Sequence, residues 1–171
     1  MTTRVPMAIA VVLLATACSA PAPTATTATD PENATTSQSA PQVATLGSTL
    51  TITAAGGTAA YTVANLSPVP VDAQIIPATG TMYAVDVTID AQIGTTVYNG
   101  FYFVAAGPDG SNLAPAVGAV KPGITSGQLD PGQSIAGHVA FDVPLGQTIT
   151  QVALRDPKGK TLAVWGPAPS G

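Results

Sequence analysis

The chain of 171 residues has one cysteine, one histidine and one tryptophan, and only 8% of it is Asp, Glu, Lys or Arg. Each scarcity excludes something. A lone cysteine permits no intrachain disulfide and no CxxC metal site, so any folded part stands on its apolar core alone. Few charges leave the exposed faces to Thr, Ser, Gln and Asn. The formal charge of −4 comes with no basic cluster, which argues against a nucleic-acid partner. The apolar run at residues 5–14 is about ten residues long, whereas a helix needs about 20 to span a bilayer, so it is not a lasting membrane span.

What stands at the start is a processing signal. Arg4 is the only charge before Cys18, residues 5–14 read VPMAIAVVLL, and the small residues ATA lead into Cys18. A basic start, a short apolar stretch and a small-residue cleavage site are the parts of a secretory signal, here assigned to residues 1–17. Leu14-Ala15-Thr16-Ala17-Cys18 resembles the lipobox of bacterial lipoproteins, with Ala15 where a leucine is usual and Leu14 one step earlier. The resemblance implies that the Cys18 thiol, as nucleophile, receives a diacylglycerol and that the chain is cut just before it. Acylation also removes an odd thiol outside the cell. Each buried methylene adds about 0.8 kcal/mol and one chain alone holds only marginally, so the two or three chains of such an anchor give stable attachment to the membrane. Loss of Arg4 with the signal takes the formal charge from −4 to −5.

After Cys18 the chain reads SAPAPTATTATDPENATTSQSAPQ to Gln42, with no aromatic residue and no Val, Leu or Ile. Such a segment buries too little apolar surface to offset its ordering entropy, and its prolines favour extended backbone. Residues 18–42 are therefore expected to be the lipidated cysteine and a disordered tether. Its span averages roughly 25–30 Å as a flexible chain and reaches about 80 Å stretched. Ser, Thr and Pro together give the compositional signature of an O-glycosylated stalk, and whether this tether is glycosylated is left open.

Residues 43–166 are one domain of ordinary size, with 167–171 a disordered tail. The period is two almost throughout. In residues 80–91, Tyr83, Val85, Val87 and Ile89 form the inward set and Ala84, Asp86, Thr88 and Asp90 the outward set. In residues 133–143, Ile135, Gly137, Val139, Phe141 and Val143 point inward and Ala136, His138, Ala140 and Asp142 outward. These are half-buried strands of antiparallel sheets. Further strands are expected at 48–54, 59–66, 71–76, 97–105, 148–154 and 161–165. Turn signals separate them, among them Gly56-Gly57, Pro108-Asp109-Gly110, Asp130-Pro131-Gly132 and residues 156–159. Proline presets the first turn torsion and glycine supplies positive φ. No stretch reads as a long helix, and 113–127 is too rich in Pro and Gly for one, so it is a long loop with a short edge strand. Many short strands with turns every 10–15 residues predict an all-β antiparallel sandwich without a disulfide.

The residues that carry chemistry do not assemble into a catalytic set. His138 is the only imidazole. A hydrolase triad needs it beside a nucleophile and an acid, yet Ser134 and Asp142 lie four residues away along the same strand, roughly 13 Å. His138 reads as an exposed sheet-face histidine. Asp86 and Asp90 are likewise about 13 Å apart and cannot share one ion, and Asp109 in GPDGSN is a turn residue, so no metal site is assigned. AAGGTA and KPGITSG lack the strand–glycine loop–helix context of nucleotide binding, so no cofactor is assigned and the chain is read as no enzyme. Trp165 reads as a core plug of the last strand. In YNGFYF an alternating strand leaves at least one of Tyr98, Phe101, Tyr102 and Phe103 facing outward as a contact point, unless the rings pack under loop 113–127, which is the preferred reading.

GSTLTIT (47–53), DVTIDAQIGTTVYNGFYF (86–103), the PDG turn (108–110), LDPGQSIAGHVAFDVP (129–144), ITQVALRD (149–156) and LAVW (162–165) together resemble the mycobacterial immunoprotective extracellular protein family, a group of small secreted antigens. The resemblance spans residues 46–165. It implies an immunoglobulin-like β-sandwich, export, and no established enzymatic activity, and it carries no functional residues across. The familiar member is released as a soluble protein, whereas this chain has Cys18 and a tether, so anchoring at the cell envelope is expected here. The expected role is a lipid-anchored interaction module and surface antigen meeting an envelope or host protein or lipid. Its contact points would be a sheet face or end loops, with Asp109, Asn112 and Lys121 as candidates. The alternative is a carrier of an apolar envelope ligand in a cleft beneath loop 113–127. Oligomeric state is not legible.

Overall fold

The computed structural model describes residues 40–54 and 56–167. The expected signal, Cys18, all but the last residues of the tether and residues 168–171 lie outside them. Period-two alternation becomes strands β1 (Gln42–Thr45), β2 (Thr49–Ala54), β3 (Gly57–Pro68), β4 (Thr81–Gly94), β5 (Thr96–Asn99), β6 (Phe103–Ala106), β7 (Asn112–Leu113), β8 (Ser126–Leu129), β9 (Ser134–Val143), β10 (Gln151–Arg155) and β11 (Thr161–Gly166). Two sheets dominate, with orders β2-β3-β4-β9 and β1-β11-β10-β6-β7, and β5 pairs with β8 in a small third ladder. Every ladder is antiparallel except β1 on β11. The all-β sandwich is as the alternation predicts.

The core lies between the inner faces. Val63, Val85, Val87, Ile89, Phe103, Phe141, Val143, Val152 and Trp165 are essentially sealed from solvent. Trp165 is the expected plug, and its indole N–H donates to the Ser48 carbonyl at 2.9 Å, so its polar atom is satisfied where it is buried. The inward residues of β4 and β9 follow the alternation, and the β4–β9 ladder runs unbroken from Thr81↔Val143 to Asp90↔Ser134.

Four expectations are corrected. Residues 71–76 form no strand: Val71–Ala73 is a 3-10 turn, because Pro70 and Pro77 flank the segment and proline cannot donate to a ladder. The Gln74 side chain closes this segment on itself, donating to the Val69 carbonyl at 2.9 Å and accepting from Ala78 N–H at 3.1 Å. Residues 97–105 are not one strand, since a 3-10 turn at Gly100–Tyr102, capped by the Asn99 side chain, separates β5 from β6. The parallel strand β1 has no counterpart among the expected strands, and its residues were divided between tether and domain. Finally, Ala84 and Ala140, assigned outward, are buried. With Met82 they are covered by Ala119 and Val120, so a second apolar cluster sits on the outer face of this sheet.

Candidate functional site

Two segments fold over the outer face of the β2-β3-β4-β9 sheet. One follows β3, from Val69 to Ala78. The other lies between β7 and β8. They are tied to each other by Ile75 N–H donating to the Ala119 carbonyl at 2.8 Å, and to the sheet by Val69 N–H to Met82, Ala116 N–H to Ala140, and His138 N–H to Pro122. Between them lies a pocket of about 180 Å³. Its apolar wall is Pro68, Val69, Pro70, Ala73, Ala84 and Val120, and its polar lining is Ser67, Asp86, Lys121 and His138.

The polar end is built by backbone geometry. The β3–β4 register shifts between Ala64 and Ser67, which marks a bulge. Within it Asn65 has φ 52°, the one non-glycine residue in the left-handed region among the described residues. Asparagine tolerates that conformation better than most side chains. Asn65 Nδ2 donates to Asp86 Oδ2 at 2.7 Å, and His138 Nδ1 lies 2.8 Å from Asp86 Oδ1. Asp86 and His138 are direct partners in the β4–β9 ladder. With Nδ1–H donated to the carboxylate, Nε2 is the atom left for a ligand: an acceptor in the neutral ring, a donor in the imidazolium. The pair is half-exposed, so by itself it contributes only about 0–1 kcal/mol to stability. Its consequence is a fixed ring orientation.

His138 is therefore half-buried and paired, not a free sheet-face side chain. Its partner comes from the neighbouring strand and not from Ser134 or Asp142. Asp142 is used elsewhere: its carboxylate accepts from Thr79 N–H and hydroxyl at 2.8 and 2.7 Å and from Gly80 N–H at 2.9 Å. The Thr79 hydroxyl foremost, then the two backbone N–H groups, hold its pKa below the ordinary carboxylate value. Ser67 shares the pocket with His138 but pairs with Ala84 on the far side of β4. That offset is two strands and two residues, roughly 12 Å between Cα atoms, so no hydroxyl–imidazole–carboxylate triad forms.

Of the candidate contact residues, Lys121 falls in this pocket wall, one residue before the Pro122 carbonyl that takes His138 N–H. Among the described residues it makes no ion pair. Asp109 and Asn112 belong to the other sheet. Asp109 accepts from Ser111 N–H at 3.0 Å as the turn reading requires, and bonding to Ser111 lowers its pKa. Asn112 Oδ1 accepts from Arg155 Nη2 at 2.8 Å. Of the aromatic rings of 98–103, Tyr98 lies against the end of loop 113–127, its phenol closing on Gly127. Phe103 enters the main core, Tyr98 and Tyr102 pack partly against it, and Phe101 is 63% exposed. Beneath the loop, where the carrier reading puts a cleft, Met82, Ala84, Ala119, Val120 and Ala140 pack together, and the pocket opens at the edge of this cluster, against Ala84 and Val120.

Sequence reasoning missed three exposed aliphatic side chains on the segment that gives the pocket Val69, Pro70 and Ala73. Val71, Ile75 and Ile76, on the segment after β3, are 82, 49 and 52% exposed. The signal was present: three aliphatic residues between prolines, in a stretch whose Pro70 and Pro77 deny it a place in a sheet.

The family model described as Domain of unknown function (DUF1942) matches residues 41–165. Among solved structures the chain is similar to a secreted protein from Mycobacterium tuberculosis, MPT63, with 25% identity and a TM-score of 0.67, over 75% of this chain and 98% of that one. The fold is thus the immunoglobulin-like sandwich. The yjhA protein from Bacillus subtilis aligns at 15% identity and a TM-score of 0.47, over 66% of this chain and 79% of that one. Comparison with curated proteins gives no match.

Proposed function

The chain belongs to the DUF1942 family, and from that premise we propose that it is an exported β-sandwich of the cell envelope, held at the membrane by lipid on Cys18, that contacts an envelope or host partner through the outer face of β3, β4 and β9. The observation that carries the contact face is the exposure of Val71, Ile75 and Ile76 on the segment that also lines the pocket through Val69, Pro70 and Ala73. Grouped exposed aliphatic side chains mark interaction surfaces. The walls that hold them are stitched to each other and to the sheet, so little ordering entropy is lost on contact.

Export is supported by the signal-like start of the chain and by the secreted character of the mycobacterial relative. Anchoring is supported by the lipobox resemblance around Cys18. A binding role in preference to a serine hydrolase is supported by the roughly 12 Å offset of Ser67 from His138.

The test compares the full chain with Cys18→Ser. The chain with Cys18 should enter the detergent phase and Cys18→Ser the aqueous phase or medium. The released Cys18→Ser protein is then offered to intact cells with and without Ile75→Asp and Ile76→Asp. At least a fivefold loss of retention is expected from the double change, with the circular dichroism spectrum intact. Equal retention would place the contact elsewhere.

A further inference from the structure

The pocket has a chemical character more specific than a contact face. Its wall is aliphatic on one side and carries two nitrogen groups on the other. The carboxylate between them, Asp86, is already occupied on both oxygens by Asn65 and His138. Lys121 and His138 Nε2 have no partner of that kind, and both line the pocket. The other cations among the described residues, Arg155, Lys158 and Lys160, belong to β10 and the turn after it, in the other sheet. Lys121 is thus the one charge lining the pocket without a partner among the described residues, and an anion with an apolar body would complete it.

We infer that this pocket binds a small apolar carboxylate, its carboxylate held between Lys121 Nζ and His138 Nε2 and its hydrocarbon part laid against Val69, Ala84 and Val120. This rests on the contact face described above and names what that face takes up. Size agrees, since a cavity of about 150 Å³ accepts a benzene ring and this one is about 180 Å³. As imidazolium the ring donates from Nε2, and Asp86 on Nδ1 orients it as an outer-shell carboxylate orients a ligating histidine. The left-handed Asn65 is part of the device. It spends backbone strain to hold Asp86, and strained residues of this kind gather at binding sites. The carboxylate has two sources: a free organic acid, or the chain end of a peptide with an apolar last residue.

The single histidine makes the test direct, because its ring resonances need no assignment. Full-length Cys18→Ser protein is titrated with benzoate, with benzyl alcohol as neutral isostere, and with N-acetyl-Ala-Phe as free acid or amide. Saturable shifts of the His138 ring signals are expected with benzoate. The alcohol should bind at least tenfold more weakly, and Lys121→Met should weaken benzoate at least fivefold while leaving the amide backbone spectrum folded. A peptide acid that outbinds benzoate assigns the chain end as source, and the reverse assigns the free acid. No saturable shift in the folded protein, or equal binding of acid and alcohol, overturns the inference. If the Ile75 and Ile76 changes still lower cell retention, only the ligand class has failed. If they do not, the contact face has failed with it.

Discussion

His138 Nδ1 lies 2.8 Å from Asp86 Oδ1 across the β4–β9 ladder, and the other oxygen of the same carboxylate takes Asn65 Nδ2 at 2.7 Å. Three strands thus contribute to one polar chain, and its free end, His138 Nε2, is the part left to meet a ligand. The order is fixed by the bulge in β3: without the extra residue there, Asn65 would not stand over Asp86.

Asn65 should therefore separate conformational cost from hydrogen bonding. Asn65→Gly keeps the positive φ and loses one exposed hydrogen bond, for a cost below about 1 kcal/mol. Asn65→Ala keeps a Cβ in the left-handed region without the short polar side chain that lets asparagine tolerate it, and should cost more than the glycine variant, by up to about 1–2 kcal/mol. Urea denaturation checks the ranking. Both variants should displace the His138 ring resonances, because Asp86 has lost its second donor.

Trp165 offers a core test with its own optical probe. The indole is fully buried and is the only one in the chain, so its fluorescence should be blue-shifted when folded and move to the red on unfolding. Trp165→Phe removes the bond to the Ser48 carbonyl and leaves that group unsatisfied, at a cost of about 1–3 kcal/mol. An unchanged urea midpoint would contradict this packing.

Gly100 should resist substitution. A Cβ there would overlap the Ile124 carbonyl oxygen and crowd a Val117 methyl group. Gly100→Ala is expected to cost about 1–3 kcal/mol as overpacking, whereas Gly110→Asn, at a turn open to solvent with φ 78°, should cost much less. Thermal unfolding of the two variants checks the contrast.

Asp142 gives the pH dependence. Its folded-state pKa lies below the ordinary value of 3.8 because the Thr79 hydroxyl and the Thr79 and Gly80 N–H groups bond the ionised form. The unfolded chain binds its proton first as pH falls. The contribution is therefore complete well above pH 3.8 and is lost as pH drops through the folded value. Asp142→Asn should flatten the loss of stability below about pH 4 and lower stability near neutrality, as urea midpoints across pH would show.

Much of this molecule is legible in its residues, for reasons that also mark the limit. Alternation in 80–91 and 133–143 specifies strands because one face of each is buried. The same rule misassigns Ala84 and Ala140, because an outer face can be covered by a loop that periodicity does not see. Met82, Ala84 and Ala140 on the nominally outward side were the available clue. The proline-flanked aliphatic stretch 71–76 mimics a strand by composition, yet its hydrogen bonds go to a turn, to Gln74 and to Ala119. The His138–Asp86 pair was out of reach of spacing along one strand, since it depends on register between two. The candidate residues divide accordingly. Lys121 joins that pair at the pocket because the loop is stitched to the His138 backbone, whereas Asp109 and Asn112 stay on the other sheet.

The account turns on which face of the domain meets a partner. The most direct measurement is photo-cross-linking on intact cells carrying the full chain, with the photoreactive group placed in turn at Val71 and at Asp109. A reproducible cross-linked product from Val71, absent from Asp109 and lost when Ile75 and Ile76 are changed to Asp, is the result predicted. Cross-links from Asp109 with none from Val71 would contradict it and move the contact to the β6–β7 turn.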